Sequence, residues 1–316
     1  MKYDMDDKLS LELVRVTEHA AIKCLKWIGK GDKHAADDAA VEGLREKLND
    51  MDISGTVVIG EGERDEAPML YIGEKVGLGG YEVDIAVDPL EGTTPTAKGT
   101  FNSISVMAVA TKGTILNAPD TYMDKIAVGP KARGVIDIDL SVKENVTNVA
   151  NKLNKNFEDM TVVVMDRDRN CNIIQGLRDL GVRVRLIQDC DLSAAICTCL
   201  DESEIDMLMG IGAAPEGVLS AAALKTLGGE IQGRLKFRNE LEKERAIKMD
   251  FLSNYQQKLT MDDMIKSDEV LFVATGVTDG EILNGVKNYE DRTAVNSIVM
   301  RSTTKTIRKI ETVYRK

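Results

Sequence analysis

The chain has 316 residues, of which 43% are hydrophobic, and it carries a formal net charge of −11. This size supports a large core, either in one large α/β domain or in two lobes. The acidic balance argues against a nucleic-acid surface, because such surfaces cluster Lys and Arg. No run approaches the roughly 18–20 apolar residues of a membrane span, and the amino terminus lacks the apolar core of a signal peptide, so we expect a cytoplasmic protein.

Histidine and cysteine usage narrows the chemistry further. His19 and His34 are the only histidines, which disfavours histidine-rich zinc sites and most histidine-based triads. The five cysteines form no C-x-x-C pair and are odd in number, which favours reduced thiols over a disulfide framework. We expect structural roles for both histidines and for most of the cysteines.

Two helices are predicted in the first 55 residues. Apolar residues keep a helical spacing from Leu9 to Trp27. A second helix is predicted to begin near Ala36 and to run through Leu48, which places Asp37 in its first turn. An acid there interacts favourably with the helix dipole. Asp37 is therefore either a helix-start residue or part of a site with the acids that follow.

The first acidic turn follows a short β-branched strand predicted over 55–60. The turn reads E-G-E-R-D at residues 61–65. A solvated acidic loop has a similar composition, but glycines alternating with Glu indicate close approach of the backbone to another group. Glu61 and Asp65 are therefore candidate functional acids.

The most informative motif is D-P-L-E-G-T at residues 88–93, at the end of an alternating apolar strand. The strand delivers Asp88 to its carboxyl end, the proline stops it, and the glycine allows a sharp turn. The carboxylates of Asp88 and Glu91 and the Thr93 hydroxyl can then converge. Hard cations such as Mg²⁺ prefer such oxygen ligands and bind substrate phosphate as well. The motif predicts metal-dependent phosphate-ester hydrolysis, although the same residues also end ordinary strands.

After an antiparallel-looking region over 103–128, the chain changes to a regular alternation of strand and helix. Each predicted strand of this part is followed by a helix, and the strands cover 160–165, 182–188 and 205–210. Such alternation implies a parallel sheet. We predict an α/β protein with a mixed sheet in its first half and two domains, 1–155 and 156–316.

Polar clusters follow all three of these strands. They are R-D-R at 167–169, D-C-D at 189–191 and A-A-P-E at 213–216. Ligands bind at the carboxyl ends of parallel strands, where arginine suits phosphate and carboxylates suit sugar hydroxyls. Together the clusters predict a sugar-phosphate site, although each alone also fits a solvated loop. Glu216 is either an acid that complements a helix dipole or a further oxygen ligand.

A glycine-rich segment at 210–217 is similar to a dinucleotide-binding loop only in part. Its sixth position is Pro215 rather than glycine, and it lies deep in the chain instead of at the first βα turn. A helix start that binds phosphate remains open there.

These motifs together resemble the lithium-sensitive, metal-dependent sugar phosphatase superfamily, and most closely the class II fructose-1,6-bisphosphatases of bacteria. The resemblance covers nearly the whole chain and rests on long, unusual strings. They lie at 31–37, 58–63, 65–77, 88–93, 117–120 and 212–217. It implies the layered sugar-phosphatase fold and a homo-oligomer, either a dimer or a tetramer.

The resemblance also implies a set of site residues. Asp37 and Glu61 would hold one Mn²⁺ or Mg²⁺ ion, while Asp88, Glu91 and Glu216 would hold another. The implied substrate contacts are Glu91, Gly92, Thr93, Tyr122, Arg167, Asp168, Arg169, Asp189, Cys190, Asp191 and Ala213. Three positions depart from the usual pattern and leave the sugar preference open. Cys190 and Ala213 stand where glycine is common, and Thr94 stands where Asn or Arg is more usual.

The expected reaction converts fructose 1,6-bisphosphate to fructose 6-phosphate and phosphate, in gluconeogenesis. Thr93 would orient the attacking water and pass its proton to a carboxylate, with Asp37 the first choice and Asp65 the second. Two alternatives stay open. One is hydrolysis of sedoheptulose 1,7-bisphosphate or of another sugar or polyol phosphate, and the other is an inactive metal- or metabolite-binding relative.

Overall fold

The structure is a computed structural model that describes residues 5–62, 69–248 and 257–316. In chain order its helices are α1 Met5–Cys24, α2 Lys33–Leu48, α3 Thr93–Lys98, α4 Val142–Leu153, α5 Cys171–Asp179, α6 Asp191–Cys197, α7 Ala214–Leu227, α8 Glu240–Lys248 and α9 Met261–Met264. Its strands are β1 Ile53–Ile59, β2 Lys75–Val76, β3 Tyr81–Glu91, β4 Ile104–Thr111, β5 Tyr122–Val128, β6 Thr161–Met165, β7 Arg183–Ile187, β8 Met207–Ala213, β9 Glu230–Lys236, β10 Val270–Gly276, β11 Lys287–Asn288, β12 Arg292–Arg301 and β13 Thr306–Arg315. Among the described residues, none of these helices is both long and apolar enough to cross a membrane.

The chain divides into two compact units. The first comprises Met1–Ile115 and Ser267–Lys316, and the second comprises Leu116–Lys266. Each unit is built on one mixed sheet, which confirms the predicted α/β class.

The sheet of the first unit has the strand order β11-β12-β10-β4-β3-β1-β2, and β13 also pairs with β12. Strand β1 runs parallel to β3, and the other pairings in this sheet are antiparallel. The two long helices α1 and α2 cover one face. Their fully buried Leu13 and Leu44 share a core with Val57, Ile85 and Val273 of the sheet. The packing of these apolar side chains thus positions β1 and β3, the two strands with acidic ends.

Both helices that the sequence predicts in this part of the chain are present, but their boundaries differ in part from the prediction. The helical spacing from Leu9 is confirmed by α1, which continues into a 3₁₀ turn at Leu25–Trp27. Helix α2 begins at Lys33, earlier than predicted, because the Asp32 side chain accepts a hydrogen bond from the Ala35 amide at 3.0 Å. The placement of Asp37 in the first turn was therefore wrong. Asp37 is the fifth residue of α2, beyond the turn in which the dipole acts most strongly.

The second unit contains a five-stranded sheet in the order β7-β6-β8-β5-β9. Strand β6 is parallel to both β7 and β8, which confirms the predicted parallel strands. Strand β5 is antiparallel to its neighbours β8 and β9. Because β6, β7 and β8 run in the same direction, their carboxyl ends lie at one edge of this sheet.

The two units differ from the predicted division at 155/156. That boundary falls after α4, inside the second unit. Strand β5 pairs with β8, which brings the chain from Leu116 onward into the second sheet, whereas β10 pairs with β4 and returns the last 50 residues, Ser267–Lys316, to the first sheet. Hydrophobic alternation predicts a strand but does not specify which sheet an antiparallel strand joins. The sequence pattern therefore could not predict which segments belong to which sheet.

Candidate active site

The turn at the end of β3 is held by local hydrogen bonds. The register between β3 and β4 shifts between Asp88 and Glu91, so β3 bulges there instead of ending at Asp88 as the proline suggested. The Leu90 amide donates to Asp88 Oδ1 at 3.1 Å, and Gly92 has a φ of +92°, which glycine adopts without strain. The turn therefore fixes the directions of the Asp88 and Glu91 side chains.

Thr93 begins helix α3 directly after this turn and is partly buried. The carbonyl of Gly92 accepts hydrogen bonds from Ser103 Oγ at 2.9 Å and from Thr96 Oγ1 at 3.0 Å. Both hydroxyls therefore hold the peptide that precedes Thr93, which helps to fix the position of the threonine.

Asp88 and Glu91 form a pair of adjacent carboxylates. Their oxygens lie within 4.8 Å of one another, and the two side chains are also joined by a hydrogen bond. Burial raises the pKa of Asp88 above its usual range, against the opposing effect of the hydrogen bonds from Glu91 and from the Leu90 amide. The pair is thus an oxygen-rich site where negative charge is costly.

Asp37 adds a third acid close to this pair in the first unit. Burial, followed by the negative charges of Asp88 and Asp38, raises the pKa of Asp37 to about 7. An effect of one carboxylate on the other of this kind requires the two groups to be near each other. A hard divalent cation would relieve the repulsion among these oxygens, so the residues present fit Mg²⁺ or Mn²⁺.

One further predicted acid, Glu61, lies in the described segment after β1. Glu61 lies two residues after the end of β1 and is partly buried, and its amide donates to the Leu70 carbonyl at 3.1 Å. Asp65, the second choice as proton acceptor, lies outside the described residues.

The second unit gathers an aromatic and two guanidinium groups at the start of β5. The Arg169 guanidinium lies 4.4 Å from the centre of the Tyr122 ring, and that of Arg238 lies 5.2 Å from the same ring. Arg169 Nε also donates to the Ile211 carbonyl at 2.9 Å, and Arg238 forms an ion pair with Glu242. The cluster can present positive charge to an anion.

The sequence reasoning missed Arg238. It lies after β9 in a polar segment, F-R-N-E, that gives no sign of contact with Tyr122 more than a hundred residues earlier.

The loop after β6 contacts the loop after β7. Arg167 donates from Nη1 to Gln188 Oε1 at 3.3 Å and from Nη2 to Asp189 Oδ1 at 3.0 Å. The structure therefore brings together two of the predicted strand-end clusters. Asp168, between the two arginines, is exposed.

Asp191 is held by a lysine that the sequence analysis did not single out. Lys125 Nζ lies 2.6 Å from Asp191 Oδ2 and donates to the Ala213 carbonyl at 3.0 Å, with side chains that are only 1% and 8% exposed for Lys125 and Asp191. The carboxylate of Asp191 thus forms a buried ion pair through Oδ2, and the substrate contact that we predicted for this residue stays a prediction. The only signal for Lys125 was a pair of charged residues, Asp124 and Lys125, inside an otherwise largely apolar strand.

Cys190 and Ala213, the two residues that stand where glycine is common, differ in their backbone conformation. Cys190 has a φ of +67° and precedes α6, so it occupies a left-handed conformation in which glycine is favoured. Ala213 has an ordinary extended conformation at the end of β8. Glu216 is the third residue of α7 and is partly buried.

The acids of the first unit and the arginine groups of the second are the residue types of a metal-dependent sugar phosphatase. Comparison with known proteins agrees. The family described as "Bacterial fructose-1,6-bisphosphatase, glpX-encoded" matches residues 7–314. The chain therefore belongs to this family, which confirms the resemblance stated from the sequence.

Individual relatives align over almost their whole length. "Fructose-1,6-bisphosphatase 1 class 2" of Escherichia coli K12 is 46% identical, across 98% of this chain and 96% of its own. "Fructose-1,6-bisphosphatase class 2" of Haemophilus influenzae is 42% identical, across 98% and 97%. A Synechococcus protein named "D-fructose 1,6-bisphosphatase class 2/sedoheptulose 1,7-bisphosphatase" is 43% identical, across 99% and 97%.

Proposed function

We propose that this protein hydrolyses fructose 1,6-bisphosphate at its 1-phosphate, in a reaction that depends on a divalent cation. The observation that carries the proposal is the β3 turn, in which Asp88, Glu91 and Thr93 stand together in a chain that belongs throughout to the bacterial fructose-1,6-bisphosphatase family. An inactive relative is the weaker alternative, because every predicted metal ligand and the threonine are present.

The cation-binding residues of this proposal are those that the resemblance implies. Asp88, Glu91 and Glu216 would hold one cation, and Asp37 and Glu61 would hold another. The raised pKa values of Asp37 and Asp88 support a site for positive charge among these acids. When bound, Mn²⁺ or Mg²⁺ polarises the phosphoryl group and makes water a better nucleophile.

In the proposed mechanism, the Thr93 hydroxyl orients the attacking water. The water oxygen forms a bond to phosphorus as the bond from phosphorus to the C1 oxygen breaks, and the C1 oxygen takes a proton from solvent. The proton of the water passes through Thr93 to Asp37, with Asp65 as the second candidate. The electrostatic effect of Asp88 on Asp37 supports the first choice, because it requires the Asp37 carboxyl to lie near the β3 turn.

The sugar and the second phosphate are bound by the strand-end residues of the second unit. Arg167, Arg169 and Tyr122 supply hydrogen-bond donors and positive charge for phosphate, and Asp189 accepts hydrogen bonds from sugar hydroxyls. Cys190 and Ala213 contribute backbone groups, as the resemblance implies. Asp191 contacts the sugar in this proposal as well, and its ion pair with Lys125 holds the carboxylate in place.

The remaining substrate contacts belong to the turn after β3. Glu91, Gly92 and Thr93 contact the phosphate that is removed. Asp168 is exposed and contacts the substrate from the edge of the site.

The cellular setting of this proposal follows from the reaction. The enzyme would act in the cytoplasm, in gluconeogenesis, as a homo-oligomer with a small sugar bisphosphate as its substrate. We propose no nucleic-acid or membrane partner, in agreement with the net charge of −11.

Sedoheptulose 1,7-bisphosphate is the second candidate substrate, because the name of the Synechococcus relative includes activity toward it. A phosphate-release assay with Mg²⁺ or Mn²⁺ should compare both bisphosphates with fructose 6-phosphate and an inositol monophosphate. We expect the highest kcat/KM with fructose 1,6-bisphosphate. A higher value with the seven-carbon substrate would favour the second candidate, and no release from any substrate would favour an inactive relative.

A further inference from the structure

Strand β13 forms a long edge of the first sheet. It has ten residues, and in the part of the chain that the structure describes it pairs with β12 alone. The strands β2 and β11 at the ends of the same sheet have only two residues each. A long edge strand presents backbone groups that can pair with another chain, and short edge strands are one way to avoid this.

The hydrogen bonds to β12 determine which residues of β13 face outward. The Lys316 amide donates to the Asp291 carbonyl at 2.9 Å, just beyond the strand, and the register of β13 on β12 is continuous from there. Residues of an antiparallel pair alternate between hydrogen-bonded and non-hydrogen-bonded positions. The even-numbered residues therefore bond to β12, and the amides and carbonyls of the odd-numbered residues point away from it.

The odd-numbered side chains also share one exposed face. Ile307 and Val313 on this face are 47% and 46% exposed. On the opposite face, Ile310 packs against the core, and the Tyr314 hydroxyl donates to Glu18 Oε2 at 2.6 Å. The outward backbone groups thus belong to the same residues that present an apolar and charged surface to solvent.

Symmetric pairing with a second copy allows few registers. Two antiparallel β13 strands related by a two-fold axis must pair odd-numbered residues with each other, because only these offer outward hydrogen bonds. An axis at Ile310 places Lys309 opposite Glu311 and Ile307 opposite Val313, each twice. Opposite charges and apolar pairs across strands are favourable, and like charges are unfavourable.

The neighbouring registers are poorer. An axis at Lys309 sets that lysine against its own copy and Ile307 against Glu311, and an axis at Glu311 sets two glutamates together. We infer that β13 pairs with β13 of a second copy of this chain about an axis at Ile310, which joins the first sheets of two subunits into one continuous sheet.

Charge exchange tests this interface directly. Lys309→Glu and Glu311→Lys should each replace two attractive pairs by two repulsive ones, and we expect subunit dissociation constants about tenfold or more higher. The double variant Lys309→Glu/Glu311→Lys restores opposite charges and should return the constant to within about threefold of wild type. Glu290→Lys, in the exposed turn before β12, makes the same charge change outside the strand and should have no effect.

Sedimentation equilibrium gives the constants, and circular dichroism verifies that each variant is folded. A dimer that dissociates to monomers, or a tetramer that falls to dimers, in the single variants and reassembles in the double variant would support the inference. A monomeric wild type at micromolar concentration, single variants with unchanged assembly, or a double variant that stays dissociated would overturn it. None of these outcomes depends on the reaction that the protein catalyses.

Discussion

Replacing Lys125 by methionine should destabilise the second unit strongly. Methionine keeps the length and most of the volume of the lysine side chain but removes its charge. In the native protein the ammonium group lies 2.6 Å from Asp191 Oδ2 and 3.0 Å from the Ala213 carbonyl. The variant leaves a carboxylate and a carbonyl without the donor that binds both.

The expected magnitude follows from the burial of the pair. Removing one partner of a buried ion pair costs about 3–5 kcal/mol, because the other charge stays buried without compensation. Asp191 has little room to move, since a Cβ atom at Gly212 would lie 2.1 Å from Asp191 Oδ2. We therefore expect Lys125→Met to lower the free energy of unfolding by about 3–5 kcal/mol.

Urea denaturation followed by circular dichroism measures this loss. The matched variant Lys125→Met/Asp191→Asn removes both charges and should recover about half of the stability or more, because no isolated charge remains. Since Asp191 begins α6 after β7 and Ala213 ends β8, both at strand ends of the proposed sugar site, KM of the single variant should rise more than kcat falls. A loss below about 1 kcal/mol, or a double variant less stable than the single one, would refute the role of the pair.

Three further predictions concern the first unit and the 189–191 loop. Thr93→Val should lower kcat by about a hundredfold or more with little change in KM, whereas Thr93→Ser should retain most of the activity; near-normal turnover of the valine variant would exclude Thr93 from orienting water. The pKa of Asp37, about 7 in the folded protein against an ordinary 3.8, means that metal-free protein loses stability, by about 2–4 kcal/mol, as the pH rises from about 4 to about 7. Melting curves in a chelator should show this slope, and Asp37→Asn should flatten it; equal slopes would contradict the assignment. Cys190→Val should cost about 1–2 kcal/mol because a β-branched residue is strained at a φ of +67°, while Cys190→Gly should be tolerated; equal melting temperatures of these two variants would count against the strain.

Local sequence patterns predicted the parts of the fold that depend on near neighbours. Helix α1, the acidic turn after β3 and the three parallel strands of the second sheet all follow from residue spacing and turn chemistry. The start of α2 was predicted late, because the capping side chain of Asp32 precedes the first clear apolar repeat.

Long-range pairing explains what the sequence patterns could not supply. The return of β10 to β4 places the last 50 residues, Ser267–Lys316, in the first unit. The ion pair joins Lys125 in β5 to Asp191 at the start of α6, two segments that are far apart in the chain. A lysine in a strand is also ordinarily interpreted as solvent-facing. Arg238 was missed because its contact with Tyr122 also joins residues that are far apart in the chain. The roles of the predicted site residues remain predictions that the variants above can test.

The central claim is that the acids at the end of β3 support cation-dependent hydrolysis of a sugar bisphosphate. Its most direct test is the rate of phosphate release from fructose 1,6-bisphosphate during titration of chelator-treated protein with Mn²⁺, for wild type and for Asp88→Asn. We predict a rate near zero without Mn²⁺, saturable activation of the wild type, and at least about a hundredfold lower rate in the variant at the same Mn²⁺ concentration. Equal rates for the two proteins, or full activity in the presence of the chelator, would contradict the account.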